Sequence, residues 1–273
     1  MPGSLYGGVN QKKPGNDDRT RSARERLREQ READRAREKR KRTLIAAVAV
    51  VAVLGIAAGV GALVSSTGQD KDKSEQSSKA AVAPKGATGE GDVVIPEGRP
   101  AAKATLTVYE DFRCPGCGGF EAQFHDTIRD LQDKGQLKSE YHLVTIIDGN
   151  MGGTGSLNAA NAAACAQDAD KFPDYHDLLY KNQPDEREDA FADKGHLIKL
   201  AGQVKGLDTP AFQKCVNDGA HDGWVKKSND AFGKSSFHST PTVLLDGKNI
   251  YADQSNPLTP DKLKKMVADA SKK

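Results

Sequence analysis

The chain has 273 residues, 37% of them hydrophobic and 29% charged, with a net charge of +2. That length fits one folded domain of roughly 150–200 residues with appendages. Residues 1–42 carry 14 basic and 7 acidic side chains, and the remainder carries 26 and 31, so the folded part is mildly acidic and nothing in it suits nucleic acid. The four cysteines are an even number, compatible with disulfides if the domain works outside the cytoplasm.

In chain order, residues 1–42 read as a disordered or charged arm. Arg19 to Arg42 is dense in charge, and Leu27 is its only large apolar residue, so it has no core-forming face. Its basic residues suit either plain solvation or contact with anionic lipid headgroups. Leu44 to Val64 holds no charged or strongly polar residue. With Thr43 it forms the 43–64 segment, long enough to span ~30 Å of hydrocarbon as a helix. It is longer than the core of a cleaved signal and starts further from the N-terminus, so it reads as a signal anchor. Lys39 to Arg42 abuts it, and the positive-inside bias places the N-terminus in the cytoplasm and the C-terminal part outside, on a single-pass protein of the lipid bilayer. Residues 65–91, without periodicity, read as a flexible linker.

The domain expected over 92–273 opens with a short apolar run, Val93 to Ile95. The alternating Thr105-Leu106-Thr107-Val108-Tyr109 then predicts a strand. Cys114-Pro115-Gly116-Cys117 follows at once, and a helical pattern begins by Phe120 and runs to about Leu131. Leu137 to Ile147 reads as the next strand and Gly149 to Gly155 as a turn. From 156 to about 233 the pattern is helical, and it includes Cys165 and Cys215. Pro241 to Leu245 returns to strand, Asp246-Gly247 signals a hairpin turn, and Asn249 to Tyr251 reads as the returning strand. Thr259-Pro260 opens a last helix. The order is α/β (α+β), a mixed sheet interrupted by a helical insertion.

A C-x-x-C at a strand-to-helix junction suits redox chemistry. At a helix N-terminus, unpaired N–H groups and the macrodipole favour a thiolate on Cys114. Zinc would need two further ligands, and the six histidines show no matching spacing, so no metal is expected. Haem attachment would need a histidine where Gly118 stands. No cofactor is implied.

Three features in order resemble the thioredoxin fold in its DsbA-like form over Val93 to Lys273. They are Asp111-Phe112-Arg113-Cys114-Pro115-Gly116-Cys117, the multi-helix insertion, and Ser239-Thr240-Pro241-Thr242. Behind a membrane anchor, the arrangement looks like the membrane-anchored DsbA-like proteins of high-GC Gram-positive bacteria. The resemblance implies a thiol–disulfide oxidoreductase with Cys114 and Cys117 catalytic. Cys114 would be the exposed, attacking thiol and Cys117 the buried, resolving one. Pro115, Gly116, Thr240 and a cis Pro241 would form the active-site loops. It also implies unfolded secreted proteins as substrates and a quinone-linked membrane partner that reoxidises the site. A reductase or isomerase, for example in cytochrome maturation, and a non-catalytic anchored binding module are the alternatives. The wider fold often buries an acid six residues before the first cysteine. Val108 stands there, with Glu110 two residues on along the same strand face, as a substitute proton relay or a solvent-facing carboxylate. Cys165 and Cys215 lie in two different helices and are expected to form a structural disulfide in an oxidising compartment.

Overall fold

The computed structural model describes residues 81–253 and 255–272. The charged arm, the 43–64 span and most of the linker lie outside the described residues, among which no helix is long and apolar enough to cross a membrane.

Strands β1 (Ile95–Gly98), β2 (Ala104–Glu110), β3 (Leu137–Leu143), β4 (Thr242–Leu245) and β5 (Lys248–Asn249) form one sheet in the order β1-β3-β2-β4-β5. The central β2 runs parallel to β3 and antiparallel to β4. Helix α1 (Pro115–Asp133) makes the crossover between β2 and β3. Alternation sets the faces: Ala104, Leu106, Val108 and Glu110 of β2 are buried, in register with Leu137, Ser139, Tyr141 and Leu143. Onto this core α1 lays Cys117, Phe120, Phe124, Ile128 and Leu131, spaced as one helical stripe. On the other face Tyr109 stacks on His142 at 4.2 Å and meets Phe232 at 5.3 Å.

The helical insertion comprises α2 (Ile146–Met151), α3 (Gly155–Asp168), α4 (Phe172–Lys181), α5 (Lys194–Ala201), α6 (Pro210–Asp218) and α7 (Asp222–Gly233). The small side chains of α3 let α4, α6 and α7 pack against it, and Ala159 to Ala166 are almost entirely inaccessible. Cys165 of α3 is bonded to Cys215 of α6. Helix α8 (Pro260–Ala270), capped by the Thr259 hydroxyl, closes the fold against α1.

Three boundaries differ from the sequence reading. The tether expected to run to Gly91 ends earlier. Trp224 donates its indole N–H to the Asp92 carbonyl, His221 bonds the Val82 carbonyl, and Thr88 pairs with Val94, so the segment from Val82 belongs to the fold. β3 stops at Leu143 rather than Ile147, because the Ile147 amide donates to the Asp111 carboxylate and the chain turns into α2. The insertion therefore starts ten residues before 156. β5 stops at Asn249, whose side-chain oxygen accepts from the amides of Tyr251 and Ala252 and bends the chain out of the sheet.

Candidate active site

Cys114 is the N-cap of α1 and Pro115 its first residue, where a missing N–H costs nothing. The cap residue is extended, and its side chain faces the first turn of the helix. The Thr240–Pro241 peptide is cis and stands opposite. The Cys114 thiol donates to the Thr240 carbonyl at 3.4 Å. Gly116 permits that approach: a Cβ there would lie 3.1 Å from Pro241 Cδ and 3.6 Å from the Cys114 sulfur. So the structure brings together Cys114, Cys117, Pro115, Gly116, Thr240 and Pro241, which are scattered over 128 positions of sequence. Pro115 and Gly116 are exposed at the rim.

The two thiols are free and differ sharply in their surroundings. The Cys114 thiol is pulled down from 9.0 to about 6. The largest cause is hydrogen bonding from Cys117, against which burial works. The Thr240 side chain and the amides of Cys117 and Gly116 add to the pull. Burial pushes Cys117 well up, and the anions at Cys114 and Glu110 push the same way. Cys114 is less open than expected, at 7% exposure against 1% for Cys117, because the Thr240–Pro241 loop packs over it.

The loop before Cys114 is clamped from the insertion. Arg113 is 2% exposed and pairs with Asp148 at 2.7 Å and Asp189 at 3.0 Å, while donating to the carbonyls of Gly152 and Glu186. Asp148 and Asp189 also cap the first amides of α3, so one pair of carboxylates holds both the helix and the active-site loop. Gln183 donates to the carbonyls of Phe112 and Cys114, each at 2.9 Å. Asp111 accepts from the amides of Arg113 and Ile147, and burial raises its carboxyl to about 6.

Glu110 does not face solvent. It is 1% exposed and meets His176 Nε2 of α4 at 2.9 Å. Glu121 of α1 is also buried beside them, and burial raises it to about 8. Burial alone would discharge His176, but the Glu110, Asp177 and Glu121 carboxylates outweigh it and hold the imidazolium well above its ordinary range. Glu121 had a sequence signal: it falls four residues after Cys117 on the apolar stripe of α1. Arg113, Gln183 and His176 had none, because each meets its partners across the divide between the βαβ half and the insertion. His238 is an exposed residue of the segment leading to Thr240.

A thioredoxin family model matches residues 89–269. Disulfide bond formation protein D of Bacillus subtilis (strain 168) is 28% identical over 156 residues, which is 56% of this chain and 68% of that protein. Oxidised DsbA of Mycobacterium tuberculosis superposes with a TM-score of 0.56 at 28% identity, covering 66% of this chain and 93% of its own. The reduced disulfide bond oxidoreductase DsbG of the same organism gives a TM-score of 0.55 at 30% identity, with 67% and 88% covered.

Proposed function

The chain belongs to the thioredoxin family, among thiol–disulfide oxidoreductases of the DsbA type, and from that membership we propose that it forms disulfides in secreted proteins while tethered to the outer face of the cell membrane. The observation that carries the oxidising direction is the environment of Cys114. A thiolate held at the N-terminus of α1 stabilises the reduced dithiol, and stabilising the reduced form makes the disulfide a stronger oxidant.

In the cycle, a substrate thiolate attacks Cys114 in the Cys114–Cys117 disulfide, and Cys117 leaves and takes up a proton. A second substrate thiolate then attacks the mixed disulfide at the substrate sulfur. Cys114 leaves as the stabilised thiolate, the substrate is oxidised, and the enzyme is left as the dithiol. Two electrons pass to the enzyme, and a quinone-linked membrane partner removes them. The Thr240–Pro241 loop holds the substrate backbone against Cys114. Glu110, paired with His176, exchanges the proton of Cys117 in place of the acid absent at Val108. The uncharged span at 43–64, flanked by Lys39 to Arg42, supports the tether and its orientation.

Equilibration with glutathione tests the direction. A potential well above about −270 mV is expected, and one at or below about −270 mV overturns the oxidase reading in favour of a reductase. Glu110→Gln should slow exchange at Cys117 and alter its pH profile. An unchanged profile removes Glu110 from proton transfer.

A further inference from the structure

Three elements converge beneath Cys117 on a second constellation. The end of β2 contributes Glu110, α1 contributes Glu121, and α4 contributes His176. All three are buried, at 1%, 4% and 2% exposure, and one ligand atom from each lies within 4.8 Å of the other two. We propose that Glu110, Glu121 and His176 form a binding site for a divalent first-row transition-metal ion, zinc by preference, with Asp177 orienting the histidine.

The arrangement has the parts such a site needs. His176 Nδ1 faces Asp177 Oδ1 at 3.2 Å, while Nε2 points inward at Glu110. A carboxylate behind a histidine fixes the tautomer that leaves the opposite nitrogen free to ligate. Asp177 is itself anchored by Arg129 at 2.7 Å and His125 at 2.9 Å, so the orienting group is rigid. Inside the cluster, Glu110 Oε2 and Glu121 Oε1 are buried without a protein hydrogen-bond partner. Buried acceptors of this kind call for a donor or a cation. The 2.9 Å His176–Glu110 contact marks the place a divalent ion would take between them.

A route in exists. A cavity of about 280 Å³ is lined by Glu121, His125, Asp126, Asp177 and Tyr180. Tyr180 Oη is also buried and unpartnered. Two carboxylates and one imidazole fit zinc or its neighbours in the transition series better than calcium or magnesium, which take mostly oxygen ligands in larger number. Three protein ligands leave a coordination position open. A loaded site would take Glu110 out of proton exchange, so metal and proton relay are alternative states of one cluster.

The test uses the full chain with Cys114–Cys117 oxidised, so that no active-site thiolate ligates metal. Titration with zinc chloride, followed by calorimetry, should show one equivalent bound with saturation. Glu121→Gln should weaken binding at least about a hundredfold by removing a ligand. Asp177→Asn should weaken it about 10–100-fold, the range for lost orienting partners. One equivalent of cobalt(II) should give visible d–d bands without thiolate charge-transfer absorption, a readout that needs no variant. Failure of the wild-type chain to bind zinc, or zinc binding unchanged in Glu121→Gln, overturns the inference, as does cobalt without saturable visible absorption. No thiol exchange enters these measurements, so their failure leaves the oxidoreductase reading intact, and loss of exchange activity leaves the metal site standing.

Discussion

Cys114 and Cys117 stand free at the head of α1, whereas Cys165 and Cys215 are joined across α3 and α6. Exposure does not explain the difference. Cys114 is 7% exposed and Cys117 1%, while Cys215, in the bonded pair, is only half-buried. What differs is electrostatic and topological. Cys114 caps a helix and faces the amides of Gly116 and Cys117, where an anion is favoured. Cys165 sits near the C-terminal end of α3 and Cys215 in the body of α6, where backbone N–H groups are already paired within the helix. A bond between two such helices closes a long loop, and its sulfurs gain nothing by ionising. Reactivity in this domain follows the helix terminus, and stability follows the length of chain enclosed.

The widest separation between the pairs should appear on removing sulfur. Cys114→Ser should reduce thiol exchange to the uncatalysed background. Cys117→Ser should accumulate the mixed disulfide on Cys114, visible as a mass adduct with a thiol substrate. The double variant Cys165→Ala with Cys215→Ala should leave exchange unchanged. It should lose ~4 kcal/mol of stability to urea, from the 50-residue separation in the chain-entropy model. If that variant lost exchange while still folded, the division between a working pair and a stapling pair would be wrong.

A second difference lies in pH. The rate of Cys114 alkylation by iodoacetamide should rise with a midpoint of about 6 rather than 9. A thiolate whose pKa is depressed on folding stabilises the reduced chain fully above about pH 9, and this contribution is lost as pH falls through about 6. The oxidised chain lacks it, so the reduced form should gain on the oxidised form between pH 6 and 9. Cys117→Ala removes the largest cause of the shift and should move the alkylation midpoint back toward 9. A midpoint that stayed near 6 in that variant would transfer the effect to the helix terminus alone.

How far the residues announced these properties depends on the range of the contacts. The β2–α1 junction was legible because alternation, the C-x-x-C and Pro115 are contiguous. The Asp246-Gly247 turn was legible because both residues adopt positive φ, as a tight hairpin requires. Thr240-Pro241 was reached only through a family resemblance, since local sequence does not select a cis bond. The Arg113 clamp and the Glu110–His176 contact were not legible. Each joins the βαβ half to the insertion across 35 to 76 positions, and no period in the sequence encodes such a meeting. Glu121 was readable in principle as a charged residue on an apolar stripe, which signals a partner in the core. The boundary errors at Gly91, Ile147 and Tyr251 share one cause: side chains distant in sequence or just upstream claimed backbone groups that local propensity left unassigned.

The smallest effect sharpens the comparison from the stapled side. α6, which carries Cys215, begins at Pro210, and the Thr209 hydroxyl accepts from the Phe212 amide at 3.2 Å. Thr209→Ala leaves that amide without its cap and should cost ~1 kcal/mol. The disulfide holds the middle of α6 against α3 whatever happens at its first turn, so the loss should stay local and leave the cooperativity of urea unfolding unchanged. Cys114 depends on a different helix terminus, at α1, and its alkylation midpoint should not move. A shifted midpoint in Thr209→Ala would mean that the insertion transmits strain to the active-site loop, with Arg113 as the physical connection, since its carboxylate partners cap the helix to which α6 is stapled.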